Sequence, residues 1–227
     1  SRILGMVREI LLFSLIGAGP LLDAFFAAFR LPNMFRRFFA EGAFNSAFVP
    51  LISKKYERKE NATAFANEAM GSLAFVLLIL TTISIIFMPA LIWAIANGFV
   101  GDERFEITVA FGRVMFPYIF LISLAALLSG VLNALGYFAA AAAAPVLLNI
   151  TIIFGLCISF SFEWPIMTIL IYSVPFAGIL QLIFLWSAAK KAGLIIRPSR
   201  PRLSKDMRTL VRVAIPSALA NGVLQIN

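Results

Sequence analysis

The stretch LDAFFAAFRLPNMFRRFFAEGAFNSAFVP, Leu22 to Pro50, decides how the rest of the chain is interpreted. It is aromatic and largely apolar, yet it contains five charged side chains: Asp23, Arg30, Arg36, Arg37 and Glu41. A charge at bilayer depth costs from about 3 to more than 10 kcal/mol, so it persists where it faces a polar cavity, a partner or the interface. If the surrounding chain is embedded in a membrane, this stretch is predicted to line a cationic, water-filled cavity inside a transmembrane bundle.

The composition predicts a helical membrane protein. Of 227 residues, 61% are hydrophobic and 13% are charged, against about 45–50% and about 25% in soluble domains. The chain has no histidine and one cysteine, Cys157. It therefore lacks a disulfide framework, the commonest metal ligands and the commonest general base near neutral pH. We assign no catalytic residue and no metal site.

Uncharged runs between charged loops predict six transmembrane helices and the start of a seventh. The first contains Arg2, Arg8 and Glu9 and ends at the turn Gly17–Pro20, and the second runs from Asp23 to Tyr56 with a kink at Pro32. The others are expected over residues 69–101, 107–135, 141–162 and 164–189, and from Thr209. Residues 1–191 would then form a six-helix lobe, 192–208 a basic cytoplasmic linker and 209–227 the truncated start of a second lobe. Because the sequence lacks an initiator methionine, we expect a fragment of a longer protein.

The loop charges predict the orientation of the chain. The loops after the second and sixth helices are rich in lysine and arginine, whereas those after the third and fifth carry mainly acidic residues. The excess of positive charge on cytoplasmic loops then places the loops after helices two, four and six, and the original N-terminus, in the cytoplasm. The net charge of +8 follows from this topology, so nucleic acid is not expected as a partner.

Helical spacing separates the charges of the second helix. Arg30, Asn33, Arg37 and Glu41 fall on one stripe, and Arg36 lies about a quarter-turn away. Arg37 and Glu41 are spaced as an ion pair one turn apart, which leaves Arg36 as the less neutralised cation. Its position is about 18 residues, roughly 27 Å of helix, before the charged loop at Lys54.

Each of these charged or polar residues also has a structural interpretation. The arginines could snorkel from helix ends to the lipid headgroups. Asp23 could cap the second helix instead of facing the cavity, and Asn33 could satisfy backbone groups freed at Pro32. If the arginines do line a cavity, their excess over acids favours an anionic ligand, because guanidinium groups suit phosphate and carboxylate and stay charged.

Three segments together resemble the MurJ (MviN) lipid II flippases of bacterial peptidoglycan synthesis. They are SRILGMVRE at the start of the chain, DAFFAAFRLPNMFRRFFAEGAFNSAFVP, and FPYIFLISLAALLSGVLNALGYFAAAAAAPVLLN. The resemblance implies an all-α polytopic membrane protein of the bacterial plasma membrane, in which this chain is one half of a two-lobe alternating-access transporter. The sequence departs from the family at Ala141, where relatives often carry proline.

The resemblance also implies roles for individual residues. Arg2, Arg8 and Arg36 match the family's substrate-binding arginines, which receive the diphosphate-sugar head group of lipid II. Asp23 and Asn33 match the acid and amide of the same motif, with Arg30, Arg37 and Glu41 as supporting residues. No cofactor is implied, and a coupling sodium ion would bind in the missing C-terminal lobe.

Other functions stay open at this point. The protein could flip another polyprenyl-diphosphate oligosaccharide or export drugs, although a cavity for cationic drugs would need acids. A membrane-embedded enzyme acting on a polyprenyl phosphate would need clustered acids for Mg²⁺, and the acids of this sequence are scattered.

Overall fold

The computed structural model describes residues 2–36, 43–58 and 60–226, and the regular elements within these ranges are all helical. In chain order the helices are α1 (Arg2–Ile16), α2 (Pro20–Arg36), α3 (Ala43–Glu57), α4 (Ala62–Ile86), α5 (Met88–Ile95), α6 (Glu103–Met115), α7 (Tyr118–Ala134), α8 (Phe138–Phe162), α9 (Ile166–Lys191) and α10 (Lys205–Ile226). The predicted all-α class is confirmed.

Within the residues that the structure describes, four of the six predicted spans are long and apolar enough to cross a membrane. They are α4, the consecutive pair α6 and α7, α8, and α9. Among the described residues, α1 has 15 residues, short of the roughly 20 that a helix needs to span. The predicted second span corresponds to α2 and α3, and its continuity falls on residues 37–42, which lie outside the described ranges.

Local signals explain where several helices begin. Helix α2 begins at Pro20, which suits the first helical position because its missing N–H needs no partner there. Asp23 is therefore not the capping residue of this helix, and that alternative is wrong. Helix α4 begins at Ala62 rather than at residue 69, because the Asn61 side chain accepts a hydrogen bond from the Ala64 N–H at 3.1 Å.

Two other predicted boundaries shift for similar reasons. The expected span over residues 69–101 is divided, because α4 ends at Ile86 and a new helix starts at Met88 with Pro89 in its first turn. Helix α10 begins at Lys205 rather than Thr209, because the Ser204 hydroxyl accepts a hydrogen bond from the Met207 N–H at 3.2 Å. The predicted break near residues 133–142 is confirmed at Gly136, whose φ of +83° suits glycine.

The described chain divides into two compact units. Unit 1 consists of Ser1–Asn33, Leu80–Leu121 and Ala144–Gln181, and unit 2 of Met34–Ile79, Ile122–Ala143 and Leu182–Asn227. Lipid tails are as apolar as leucine, so helices in a membrane associate mainly through close packing and hydrogen bonds. Each unit contains both kinds of contact.

In unit 1, a buried polar chain connects three helices. The Tyr118 hydroxyl donates to Oε1 of Gln181 at 3.3 Å, and Nε2 of Gln181 donates to the Ala144 carbonyl at 3.0 Å. Close packing accompanies these bonds, because a Cβ at Gly178 would lie 2.9 Å from the Tyr118 ring. Helices α7, α8 and α9 are thereby held at fixed separations in this unit.

In unit 2, the segment between α9 and α10 packs on α4. Because α10 begins at Lys205, the linker predicted over residues 192–208 is shorter, and from here the linker means residues 192–204. The side chain of Asn67 accepts a hydrogen bond from the Arg197 N–H at 2.8 Å, and its backbone carbonyl accepts one from the Ser199 N–H at 3.1 Å. The Glu68 carboxylate accepts one from the Ser204 N–H at 3.2 Å. The linker is therefore bound along the first turns of α4.

An ion pair continues this attachment into α10. The Lys55 ammonium lies 2.8 Å from the Asp206 carboxylate and 3.1 Å from that of Glu60. The same ammonium lies 5.7 Å from the centroid of the Phe65 ring, which is stacked on Phe48. Helices α3, α4 and α10 are thus joined around one lysine.

Candidate functional site

Arg8 is held in place within unit 1 by a buried amide. Its Nη1 donates a hydrogen bond to Oδ1 of Asn149 at 3.1 Å, and its Nη2 lies 3.4 Å from the Glu9 carboxylate. Only 16% of the Arg8 side chain is exposed, against 58% for Glu9. The guanidinium is therefore fixed mainly by the neutral partner from α8, since the exposed Glu9 is screened by solvent.

This arrangement suits an anion-binding group. A guanidinium has five N–H donors, and within the described part of the chain Asn149 and Glu9 engage two nitrogens of Arg8. Asn149 fixes the guanidinium without cancelling its charge, because the amide is neutral. The remaining donors can form the paired hydrogen bonds that phosphate and carboxylate oxygens accept.

Asn149 was not among the residues singled out from the sequence. It is 8% exposed and lies in the middle of α8. The available signal was an amide within an otherwise apolar helix, since a buried polar group in lipid needs a partner. Its partner could not be read from the sequence, because 141 residues separate it from Arg8.

Two other arginines, Arg2 and Arg36, are predicted to bind the substrate together with Arg8. Arg2 is exposed at the start of α1. Arg36 is the last residue of α2, and its side chain lies outside the described part of the structure. Their convergence with Arg8 on one ligand is therefore still a prediction.

The supporting residues of the second helix have mixed positions. Arg30 is exposed on α2, and Asn33 is half-buried on the same helix, next to the buried Pro32. Arg37 and Glu41, with the ion pair predicted between them, lie outside the described residues.

Asp23 belongs to a second charged cluster in unit 1. Its carboxylate lies 3.8 Å from Nη1 of Arg104, whose Nε and Nη2 contact the Asp102 carboxylate at 2.7 and 2.6 Å. The Arg104 guanidinium also lies 4.5 Å from the centroid of the Phe99 ring. Arg104 thus connects the first turn of α2 to the loop before α6, a partnership that the sequence did not suggest.

Asp102 combines two roles in this cluster. It caps α6 by accepting a hydrogen bond from the Arg104 N–H at 3.1 Å. The hydrogen bonds from the Arg104 side chain and backbone hold the pKa of the Asp102 carboxyl below its ordinary value. The carboxylate stays ionised at neutral pH. With two carboxylates around one guanidinium the cluster is net negative, so it is better suited to holding helix ends than to binding an anion.

Comparisons of the chain with known proteins identify related sequences. A sequence model described as lipid II flippase MurJ matches residues 12–227. A relative from Rhizobium tropici, named probable lipid II flippase MurJ, is 45% identical over 234 residues, which cover 100% of this chain and 44% of the relative. One from Burkholderia cenocepacia, named lipid II flippase MurJ, is 34% identical over 238 residues and covers 100% of this chain and 45% of its own length.

The fold agrees with the sequence matches. A solved structure titled lipid II flippase MurJ, inward closed conformation, superposes with a TM-score of 0.74 at 27% identity, covering 96% of this chain and 45% of that one. The chain thus spans less than half the length of the relatives it matches. Arginines set into apolar helices, the helical fold and these matches agree, and the chain belongs to the lipid II flippase MurJ family.

Proposed function

We propose that the protein to which this chain belongs moves lipid II from the cytoplasmic to the outer leaflet of the bacterial plasma membrane. Family membership supports this proposal, because relatives that are 34–45% identical over the whole chain are named for lipid II. The observation that carries it is the Arg8–Asn149 pair, a positioned cation within an apolar helical unit.

The chemistry of the cargo explains the need for such a cation. The diphosphate and sugars of lipid II cannot cross about 30 Å of hydrocarbon unaided. In this proposal Arg2, Arg8 and Arg36 bind the diphosphate in a cavity open to the cytoplasm, while the polyprenyl tail stays in the lipid. Guanidinium groups suit this task because they remain charged and form paired hydrogen bonds with phosphate oxygens.

The remainder of the cycle needs the rest of the protein. We propose that this chain is the N-terminal lobe and that a second lobe completes the cavity, so that rocking of the two lobes opens it alternately to each side. No covalent bond is made or broken. The proposed orientation puts the basic loops in the cytoplasm, and the proposed coupling ion binds in the second lobe.

Complementation tests the proposal. The host's own flippase is depleted, and the full-length protein is expressed as wild type or with Arg8→Ala or Arg36→Ala. The wild type is expected to restore growth, and both variants are expected to fail at normal membrane abundance. Arg208→Ala is the matched control, because it removes one exposed arginine at the start of α10.

The outcomes separate the function from the site. Failure of the wild type, with normal insertion, would contradict the flippase proposal. Rescue by all three variants would retain the function but reject the arginine site. A flipping assay with lipid II and with other polyprenyl-diphosphate sugars then tests the substrate, and equal transport of all of them would reject specificity for lipid II.

A further inference from the structure

A groove of about 510 Å³ lies between the middle of α4, the linker and α10, all within unit 2. This volume falls within the roughly 300–1,000 Å³ that ligand sites occupy. The residues that form its walls include Phe75, Val76, Leu203, Met207 and Val211. Several of these are exposed, among them Val76 at 54% and Leu203 at 70%. The groove therefore presents an open apolar surface.

The mouth of this groove is basic. Arg202 is the charged side chain among the described residues that line it, and Arg200, Lys205 and Arg208 are exposed nearby along the chain. Of the neighbouring acids, Asp206 pairs with Lys55 at 2.8 Å, whereas Glu68 accepts the neutral Ser204 N–H at 3.2 Å and keeps its negative charge. The site thus combines an apolar trough with a net positive rim, because the four basic side chains outnumber the Glu68 carboxylate.

We propose that this groove binds an anionic phospholipid, with one acyl chain along the trough and the phosphate on Arg202. Helix α4 is long and apolar enough to span a membrane, and in that position its exposed apolar side chains would contact hydrocarbon. Clusters of basic residues at the membrane surface attract anionic lipids. A guanidinium matches the geometry of a phosphate group. The proposal does not depend on the transported substrate.

The charge also selects the lipid class. A zwitterionic lipid carries a phosphate too, but its choline group would lie among the exposed arginines and lysines and be repelled. An additional helix of the same protein could fill the trough, but it would have to supply a carboxylate to Arg202. The rigid wall supports a defined site, because hydrogen bonds to Asn67 and Glu68 hold the linker in place.

Native mass spectrometry of the full-length protein tests the proposal, with phosphatidylglycerol or phosphatidylcholine titrated into the detergent. Arg202→Gln is expected to weaken phosphatidylglycerol binding about tenfold, the loss of one charge-assisted hydrogen bond. Arg197→Gln is the matched control, because it removes an equal charge from the same linker outside the groove lining. It is expected to change affinity less than about twofold, because a charge outside the lining makes no direct contact with the bound phosphate and acts on it only through screening solvent.

A second pair of variants tests the trough independently of charge. Val76→Trp fills the groove from an exposed position, whereas Ile79→Trp, also exposed on α4 at 45%, lies outside the lining. Only Val76→Trp is expected to reduce the number of retained lipids. Equal losses in the two arginine variants would overturn the proposal in favour of diffuse surface charge. Unchanged phosphatidylglycerol binding in Val76→Trp would overturn the proposal as well. That result is also the one expected if another segment of the protein, and not a lipid, fills the groove.

Discussion

Replacing Asn149 by aspartate separates the position of Arg8 from its charge. The substitution keeps an acceptor oxygen where Oδ1 now receives the Arg8 hydrogen bond at 3.1 Å. It also adds a negative charge beside the guanidinium. Asn149→Ala instead removes the acceptor and leaves the charge of Arg8 uncancelled. The two variants therefore have opposite effects on the geometry and on the electrostatics of one residue.

The expected magnitudes follow from the contacts. Hydrogen bonds to charged groups contribute about 1.5–3 kcal/mol, and interhelical bonds in membranes about 0.6–1.7 kcal/mol, so Asn149→Ala should lower the free energy of unfolding by about 1–2 kcal/mol. In Asn149→Asp, a Coulomb attraction of about 4 kcal/mol is offset by several kcal/mol for desolvating the carboxylate. Its unfolding free energy should therefore stay within about 2 kcal/mol of wild type.

Lipid II affinity should fall more in Asn149→Asp than in Asn149→Ala, the reverse of the order expected for stability. A neutralised Arg8 loses its attraction for the diphosphate, worth about 1.4–3 kcal/mol, which is roughly a 10–150-fold weakening of lipid II binding. Asn149→Ala retains the cation and loses only its orientation, so its affinity should fall less than that of Asn149→Asp. The full-length proteins are compared by thermal unfolding and by lipid II titration.

One result would refute this reasoning. If Asn149→Asp folds as wild type and binds lipid II with wild-type affinity, then Arg8 does not act through its charge. Asn133→Asp in the last turn of α7 is the control, because it adds an equal charge without a hydrogen bond to Arg8. Equal losses in the two aspartate variants would attribute the effect to net charge in the lobe.

Three further predictions concern the packing and charged clusters. Gly71→Ala should lower the melting temperature by several degrees, because its Cβ would overlap the Ser199 carbonyl. Gly5→Ala has open space around it and should raise the melting temperature slightly. Equal shifts in the two variants would contradict this packing argument. Lys55→Met and Asp206→Asn should be coupled by about 0.5–1 kcal/mol in a double-mutant cycle of unfolding free energies, and strict additivity would contradict the ion pair. The pKa of Asp102 is lower in the folded protein than its ordinary value of about 3.9. Ionised Asp102 therefore stabilises the folded state above about pH 3.9, and this stabilisation is lost as the pH falls through the folded pKa. The melting temperature of the wild type should therefore fall more steeply below about pH 4 than that of Asp102→Asn, which keeps a capping side chain, and parallel pH profiles would argue against a stabilising Arg104 pair.

Sequence periodicity predicted the helical class and most of the breaks, because these depend on local chemistry. The Gly-Pro turn ended α1, and the Gly136 region separated α7 from α8, as expected. The misplaced boundaries arose where a single side chain decides the start of a helix. Asn61 and Ser204 bind backbone N–H groups that neither hydropathy nor charge identifies.

The site was predictable only in part for a different reason. The cost of charge in an apolar helix singled out Arg8 without any partner being known. Its bond to Asn149, like the contact of Asp23 with Arg104, joins distant segments through tertiary packing. A pattern within one helix carries no information about such pairs, so the residues were predictable and their partners were not.

The bound linker changes how far α10 can move from the helices before it. A free coil over residues 192–204 would have an end-to-end distance of roughly 20 Å and would fluctuate widely. Hydrogen bonds at Arg197, Ser199 and Ser204 leave no more than four consecutive residues between attachment points. The linker therefore acts as a rigid connection. The effective concentration of α10 beside α3 is set by these attachment points and not by the length of the linker. Extra residues inserted between Arg200 and Leu203 would bulge outward while the start of α10 kept its place.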